Sequence, residues 1–302
     1  MNDGKILIGA HQLSWGASSL SKGIGVTSSE VINSRIEKAK ELGCGAFEVF
    51  LSSNFGPAPA VKKAAEKAGL TTVGCAIIRD GVDGDPLSTD GEIRKGAEEA
   101  IEYYIESTCN IGGTLLGGPL VNVLGRKDAH YPTEDELKAG VRTFCNVAKV
   151  AKEKGIKIAI EPLQWSEMPW PNTVKQVLDF IELVEKADDV PKNVLGVLFD
   201  IYHALRMEEN WIEALKMMLE KGKLFHMHIA GPNRTPPRIN QHINWKFMID
   251  ILKSAKWDGT ITIESFGEEC DLPFAVVGPG ERLPAEQVIS TGVETLREAG
   301  LE

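Results

Sequence analysis

The segment Ile156-Lys-Ile-Ala-Ile-Glu-Pro-Leu163 is a short, β-branched apolar run that ends in a carboxylate. Thr173-Val-Lys-Gln176 then begins a helical pattern, in which apolar residues recur at helical spacing as far as Val184. A second apolar run, Val194-Leu-Gly-Val-Leu-Phe-Asp200, follows that pattern. A strand, a helix and another strand in this order form the repeating unit of a parallel sheet.

This unit recurs along the chain. Eight apolar runs alternate with helical segments, and they are Ile6–Trp15, Ala46–Leu51, Thr71–Ile78, Gly113–Leu116, Ile156–Pro162, Val194–Ile201, Leu224–Ala230 and Thr260–Phe266. Eight such units in 302 residues predict an α/β fold of the (β/α)8 TIM-barrel type, with a single domain over residues 1–302. A doubly wound open sheet is the alternative, although the chain has neither a GxGxxG fingerprint nor a Walker loop.

Several helix starts are also predicted from capping boxes, in which paired side chains satisfy the first backbone N–H groups of a helix. The four candidate boxes are Thr27-Ser-Ser-Glu30, Thr89-Asp-Gly-Glu92, Thr133-Glu-Asp-Glu136 and Thr173-Val-Lys-Gln176.

Composition and charge exclude several classes of protein. The chain is 43% hydrophobic and 25% charged, which is typical of globular proteins, and its net charge of -10 argues against a nucleic-acid-binding face. It has no apolar run of the roughly 20 residues that a membrane span requires. The segment Met1–Ile6 lacks the pattern of a signal peptide, and the five cysteines form no CxxC pair. We therefore expect a cytoplasmic protein that binds neither nucleic acid nor membrane.

Polar side chains stand at the ends of four consecutive predicted strands. Intervals of 39, 28 and 36 residues, each the length of one βα unit, separate Glu161, Asp200, His228 and Glu264. Active residues of a barrel come from the carboxyl ends of its strands. A single carboxylate there is often only a helix cap, but three together would repel one another unless a cation lay among them. Three oxygen ligands and one imidazole suit Mn²⁺, Mg²⁺ or Co²⁺ better than they suit zinc.

Further polar residues follow these candidate ligands at short intervals, and as a set they resemble groups that hold a polar substrate. They are Glu167, Asn172, His203 and Arg234. In the first predicted strand, His11 and Trp15 are candidates for the pocket wall, while core packing is an equal alternative for Trp15. His226 shares a strand face with His228 but is interpreted as a buried core or supporting histidine.

The joint pattern resembles the xylose-isomerase-like barrels of the sugar isomerase and epimerase group, above all the ketose 3-epimerases of the D-tagatose and D-allulose type. The matching motifs are Glu161 with Glu167 and Asn172, Asp200-x-x-His203, His228 with Arg234, and Glu264-Ser265-Phe266 after the Trp257-Asp-Gly259 turn. The resemblance implies a divalent metal, with Mn²⁺ preferred over Co²⁺ or Mg²⁺, bound by Glu161, Asp200, His228 and Glu264.

The resemblance also implies a reaction at C3 of a ketose through a cis-enediolate. Glu161 and Glu264 would be the two catalytic carboxylates, one removing the proton and one returning it on the opposite face. The substrate-binding residues would then be Glu167, His203, Arg234, His11 and Trp15. An unphosphorylated sugar is favoured, because acidic residues of the last loop, Glu268 to Asp271, would repel a phosphate.

Two departures from the family pattern leave the substrate open. Gly231 occupies a position where family members often have a glutamate, and the stretch from Gly267 to Gly280 does not align. A lyase that cleaves 3-oxo-glycosides together with a small partner subunit, an aldose–ketose isomerase and a non-catalytic binding barrel remain alternatives. Three-metal endonucleases with this barrel need more histidines than the six present. Relatives are often dimers or tetramers, so a homo-oligomer is expected.

Overall fold

The protein is described from a computed structural model that covers residues 5–16, 28–52, 58–79, 81–125, 130–268, 270 and 282–302. Over these residues, eight parallel strands form a closed barrel in the order β1 to β8. The predicted (β/α)8 barrel is confirmed, and the open sheet is excluded. Most of the unaligned stretch from Gly267 to Gly280 lies outside the described residues.

Each strand overlaps one of the eight predicted runs. The strands are β1 Leu7–His11, β2 Ala46–Phe50, β3 Thr71–Cys75, β4 Leu115–Gly118, β5 Lys157–Ile160, β6 Leu195–Asp200, β7 Leu224–Ile229 and β8 Thr260–Ile263. The barrel closes where β1 pairs with β8, and Gly9 lies opposite Thr262 in that register. A Cβ at Gly9 would lie 2.7 Å from the Thr262 hydroxyl oxygen, so the close approach of these strands requires a glycine.

Helices follow the strands, as the alternating pattern predicts. In the described residues they are α1 Ser29–Glu41, α2 Ala58–Ala68, α3 Gly91–Asn110, α4 Glu134–Lys154, α5 Val174–Glu185, α6 Ile201–Met207, α7 Trp211–Glu220, α8 Trp245–Ser254 and α9 Ala285–Glu298. Short 3₁₀ turns cover Gln12–Trp15 and Pro232–Arg234, directly after β1 and shortly after β7.

The capping boxes at Thr133 and Thr173 are both present. The predicted start at Thr89 is wrong by one residue, because Asp90 caps α3 and its carboxylate accepts hydrogen bonds from the backbone N–H groups of the helix's first turn. An aspartate at this position reaches those N–H groups directly, so the threonine before it is not needed as a cap. Thr27 lies outside the described residues, and Ser28 caps α1.

The chain forms two compact units. One contains β1, β2 and β8, with α1 packed against α2 and α8 against α9. Its core includes the Trp15 and Phe47 rings, whose centroids lie 6.0 Å apart. The other contains β4, β5 and β6, with α3 packed against α4 and α4 against α5. In this unit the Phe144 and Phe180 rings meet edge to face, with their centroids 5.3 Å apart.

Each of the five cysteines is free. Among the described residues, no helix combines the length and the apolar character needed to cross a membrane. The single domain over residues 1–302 and the cytoplasmic location stay predictions.

Candidate active site

The carboxyl ends of β5 and β6 bring two predicted carboxylates to one histidine. Asp200 is the last residue of β6 and also caps α6, because one carboxylate oxygen accepts a hydrogen bond of 2.9 Å from the N–H of Tyr202. The other oxygen lies 3.4 Å from Nε2 of His203. Glu161 follows β5 directly, and its carboxylate lies 3.9 Å from the same nitrogen. Asp200 is therefore both the helix cap and a candidate ligand.

His203 is held by the loop after β5. Its Nδ1 accepts a hydrogen bond of 3.2 Å from the backbone N–H of Gln164. The ring proton of a neutral His203 is therefore on Nε2, the nitrogen that faces Asp200 and Glu161. The imidazole is buried, so its orientation is set before any ligand binds.

The same loop carries the predicted substrate residue Glu167. The side-chain amide of Gln164 donates a hydrogen bond to the Glu167 carboxylate. Asn172 is buried, and its amide donates bonds of 2.8 Å to the carbonyls of Leu163 and Met168. Asn172 therefore stabilises the loop that positions Gln164 and Glu167.

The ends of β7 and β8 form a charged network around Glu264. The Arg234 guanidinium donates a hydrogen bond of 2.8 Å to the Glu264 carboxylate, and Nδ1 of His228 lies 3.1 Å from the same oxygen. Burial alone would raise the pKa of Glu264, but the neighbouring Arg234 and His228 side chains outweigh burial and lower that pKa. Glu264 is therefore ionised at neutral pH.

Arg234 reaches this position through an unusual backbone conformation. Asn233 and Arg234 have φ values of 56° and 59°, in the left-handed region that residues other than glycine seldom adopt. The Arg234 carbonyl accepts a hydrogen bond of 3.0 Å from Phe266 N–H, and its guanidinium lies 5.3 Å from the centre of the Phe266 ring. The loop after β7 is thus tied to the loop after β8. Such strain persists where surrounding contacts hold it in place.

The departure at Gly231 has a structural reason. A Cβ at this position would lie 2.6 Å from the Gln241 side chain and 2.7 Å from the Pro236 carbonyl oxygen. Gly231 N–H also donates a hydrogen bond of 2.7 Å to the Thr235 carbonyl. A glutamate cannot fit at position 231 without rearrangement of this loop.

The predicted ligands come together. One ligand atom from each of Glu161, Asp200, His228 and Glu264 lies within 4.8 Å of the others, and all four residues are buried. Buried carboxylates at this distance repel one another unless positive charge lies among them. Three carboxylates and an imidazole are a donor set that suits a hard or borderline divalent cation. The residues therefore fit a metal ion.

The two residues predicted from the first strand are both buried. Nδ1 of His11 accepts a hydrogen bond of 3.0 Å from Leu13 N–H, and its ring meets His228 edge to face with centroids 5.4 Å apart. Burial lowers the pKa of His11 from 6.5 to about 4, although the Glu48 carboxylate opposes this, so His11 is neutral at physiological pH. Trp15 packs on Phe47 in the core, which is the alternative that the sequence left open.

Glu48 is the functional candidate that sequence reasoning missed. It is fully buried in β2, and its carboxylate lies 2.9 Å from Nε2 of His228 and 3.8 Å from Nε2 of His11. The available signal was a single carboxylate within the apolar strand Ala46-Phe-Glu-Val-Phe50. Such a group is too costly to bury without a partner, so its presence indicates one. His226 is also fully buried, as its core interpretation predicts.

Comparison with known proteins places this barrel among its relatives. The family model of the xylose isomerase-like TIM barrels matches residues 36–299. The chain belongs to this family. Over 211 residues it is 26% identical to a probable ketose 3-epimerase of Synechocystis sp., covering 69% of each chain. Over 264 residues it is 25% identical to an L-ribulose 3-epimerase of Mesorhizobium japonicum, covering 87% of this chain and 82% of that one.

A solved structure agrees with the barrel. A D-allulose 3-epimerase from Methylomonas sp. superposes with a TM-score of 0.84 over 98% of both chains, at 20% identity. This likeness supports the fold. The family resemblance predicted from the sequence is confirmed, and so is the prediction of an enzyme of the isomerase class, since the curated relatives are epimerases.

Proposed function

We propose that this family member is a divalent-metal-dependent ketose 3-epimerase. The observation that carries the proposal is the cluster of Glu161, Asp200, His228 and Glu264, whose ligand atoms lie within 4.8 Å of one another. The curated relatives support a ketose as the substrate class, since they are named ketose and L-ribulose 3-epimerases. Mn²⁺ is the preferred ion, as the family resemblance implies, with Co²⁺ or Mg²⁺ as alternatives that three carboxylates and one imidazole also suit.

A divalent ion held by these four residues would supply Lewis acidity, which polarises the carbonyl and hydroxyl oxygens of a ketose and acidifies its C3 proton. The protein must then supply two carboxylates that exchange this proton with opposite faces of the substrate. Glu264 is suited to one of these roles, because Arg234 keeps it ionised before substrate arrives. Glu161 is the other carboxylate in the proposal.

The remaining polar groups orient the substrate in this proposal. Nε2 of His203 faces the carboxylates of Asp200 and Glu161. In this position the Nε2–H group can donate a hydrogen bond to an oxygen of a substrate bound between them. Glu167 binds the same end of the sugar from the loop after β5. Arg234 stabilises negative charge on the enediolate while it remains paired with Glu264. Substrate-wall roles for His11 and Trp15 stay predictions, as does the preference for an unphosphorylated sugar.

The proposal is tested with metal-free and metal-loaded protein. We expect protein stripped with a chelator to be inactive on unphosphorylated ketoses such as D-allulose and L-ribulose, and Mn²⁺ to restore activity. In D2O the epimer should carry deuterium at C3, because the proton removed by one carboxylate exchanges with solvent. Activity retained by protein shown to be free of metal would contradict the proposal.

The same assay separates the alternatives. An aldose product would indicate an aldose–ketose isomerase. Release of an aglycone from a 3-oxo-glycoside, with no epimer formed, would indicate a lyase. The next step would then be to search for its small partner subunit. Absence of both metal binding and turnover would indicate a binding barrel. The expected homo-oligomer is checked by light scattering on the same preparation.

A further inference from the structure

A fully buried carboxylate lies behind the proposed metal centre. Glu48 is in the middle of β2 and pairs in register with His11 of β1. Removing an isolated carboxylate from water costs several kcal/mol, so Glu48 requires partners that donate protons or carry positive charge. Nε2 of His228, at 2.9 Å, and Nε2 of His11, at 3.8 Å, face the same oxygen of this carboxylate.

The hydrogen bonds determine where the protons lie. His11 accepts at Nδ1 from the backbone of Leu13, so a neutral His11 carries its proton on Nε2 and directs it towards Glu48. An ionised carboxylate only accepts hydrogen bonds, so the bond from His228 to Glu48 requires a proton on Nε2 of His228. The other nitrogen of His228, Nδ1, faces Glu264 at 3.1 Å.

We infer that Glu48 is a positioning residue, which holds the proton of His228 on Nε2 and presents Nδ1, with its lone pair, to a metal shared with Glu264. A metal-binding histidine must be deprotonated at the ligating nitrogen, and a carboxylate on the opposite nitrogen fixes both tautomer and ring orientation. The His11 ring, packed edge to face with the His228 ring, restricts rotation of that ring from a second direction. This inference rests on the proposed metal centre and adds Glu48 and His11 to its support.

The test replaces Glu48 with an amide of the same size. An amide can turn either its oxygen or its NH2 group towards His228, so the Glu48→Gln variant no longer specifies the tautomer. We expect Mn²⁺ affinity, measured by calorimetry, to fall by about 10- to 100-fold, the range found when supporting partners of metal ligands are removed. Glu48→Asp, which keeps the charge but shortens the side chain, should bind with intermediate affinity.

A matched control separates this role from loss of a buried charge. Asp83 is also a buried carboxylate and pairs with Arg79 at 2.8 Å. Asp83→Asn should lower stability but leave Mn²⁺ affinity unchanged. Histidine ¹⁵N NMR of the Mg²⁺-loaded wild-type protein gives an independent readout, in which we expect His228 protonated at Nε2.

The outcomes distinguish this inference from the proposed function. If the wild-type protein binds neither Mn²⁺ nor Mg²⁺, the proposed metal centre itself fails. If the wild-type protein binds the ion and folded Glu48→Gln binds it equally tightly, the metal centre stands and the positioning role is overturned. A loaded protein with His228 protonated at Nδ1 would also overturn it. The positioning role would also be overturned if the wild-type protein bound a second ion that the Glu48→Gln variant lacked, because Glu48 would then itself be a metal ligand.

Discussion

The ends of β5 and β6 and the ends of β7 and β8 both carry carboxylates and a histidine. They differ in the positive charge that balances those carboxylates. After β5 and β6, the carboxylates of Glu161 and Asp200 face one imidazole nitrogen of His203. After β7 and β8, Glu264 is paired with Arg234, and His228 lies between the carboxylates of Glu264 and Glu48. One histidine can neutralise at most one carboxylate, whereas an arginine is charged at any relevant pH.

Because of this difference, the two regions should depend on a bound cation to different extents. The β7–β8 network compensates much of its own charge and can hold its geometry before an ion binds. The pair Glu161 and Asp200 gains more from a cation, because two carboxylates close to one histidine leave negative charge to be balanced. We therefore expect the β7–β8 region to set the geometry of the site and the β5–β6 region to depend more on the metal.

The largest expected effect comes from removing one catalytic carboxylate in each region. Glu161→Gln and Glu264→Gln should each lower kcat by roughly 100- to 10,000-fold, because an amide cannot act as a base. Metal content should fall more in the Glu161 variant if that region depends more on the ion. Glu66→Gln, a change at an exposed glutamate of α2, is the control and should leave kcat unchanged. Full activity of either site variant would remove it from the proton-transfer role.

The next effect tests the buried network through the pH dependence of stability. The unfolded chain protonates His11 near pH 6.5, but the folded chain does so only near about 4. Between these values the unfolded state binds more protons, so the free energy of unfolding should fall as pH is lowered, by about 3 kcal/mol in total. The contribution is fully present above pH 6.5.

Urea denaturation of the metal-free protein from pH 7 to pH 4 measures this effect. His11→Asn, which keeps an acceptor for the Leu13 N–H, should show a correspondingly weaker pH dependence than the wild-type protein. Identical pH dependence in the two proteins would mean that His11 protonates in the folded state as easily as in the unfolded one. The β7–β8 network would then be less constrained than its contacts indicate.

A smaller effect is expected at the two groups that flank the candidate ligands. Arg234→Ala and His203→Ala should each reduce kcat/KM by about 10- to 100-fold, the loss expected for one hydrogen bond to a charged partner. Both variants should keep the bound metal, which elemental analysis of the purified proteins measures. If His203→Ala loses the metal and Arg234→Ala retains it, His203 belongs among the ligands and the β5–β6 region is larger than proposed.

Much of the site was predictable because its residues occur at the ends of recognisable strands. Glu161, Asp200, His228 and Glu264 follow apolar runs one βα unit apart, and parallel strands in a barrel carry their ends to one rim. The start of α3 was misplaced by one residue, because Thr89 and Asp90 are both good caps and only the backbone geometry chooses between them. The loop at Gly231 could be recognised as different but not explained.

The sequence by itself determined the alternation of strands and helices, the closed barrel and the identity of the candidate ligands, since these depend on periodicity and on residue spacing along the chain. The tertiary structure decided which charged and titratable side chains lie close enough to interact electrostatically. Glu48 and His228 are 180 residues apart in the chain but only 2.9 Å apart in the fold, and no local pattern records that contact. Burial, tautomer and the lowered pKa of Glu264 all depend on such distant neighbours, because electrostatic interactions in a protein interior follow distance in space.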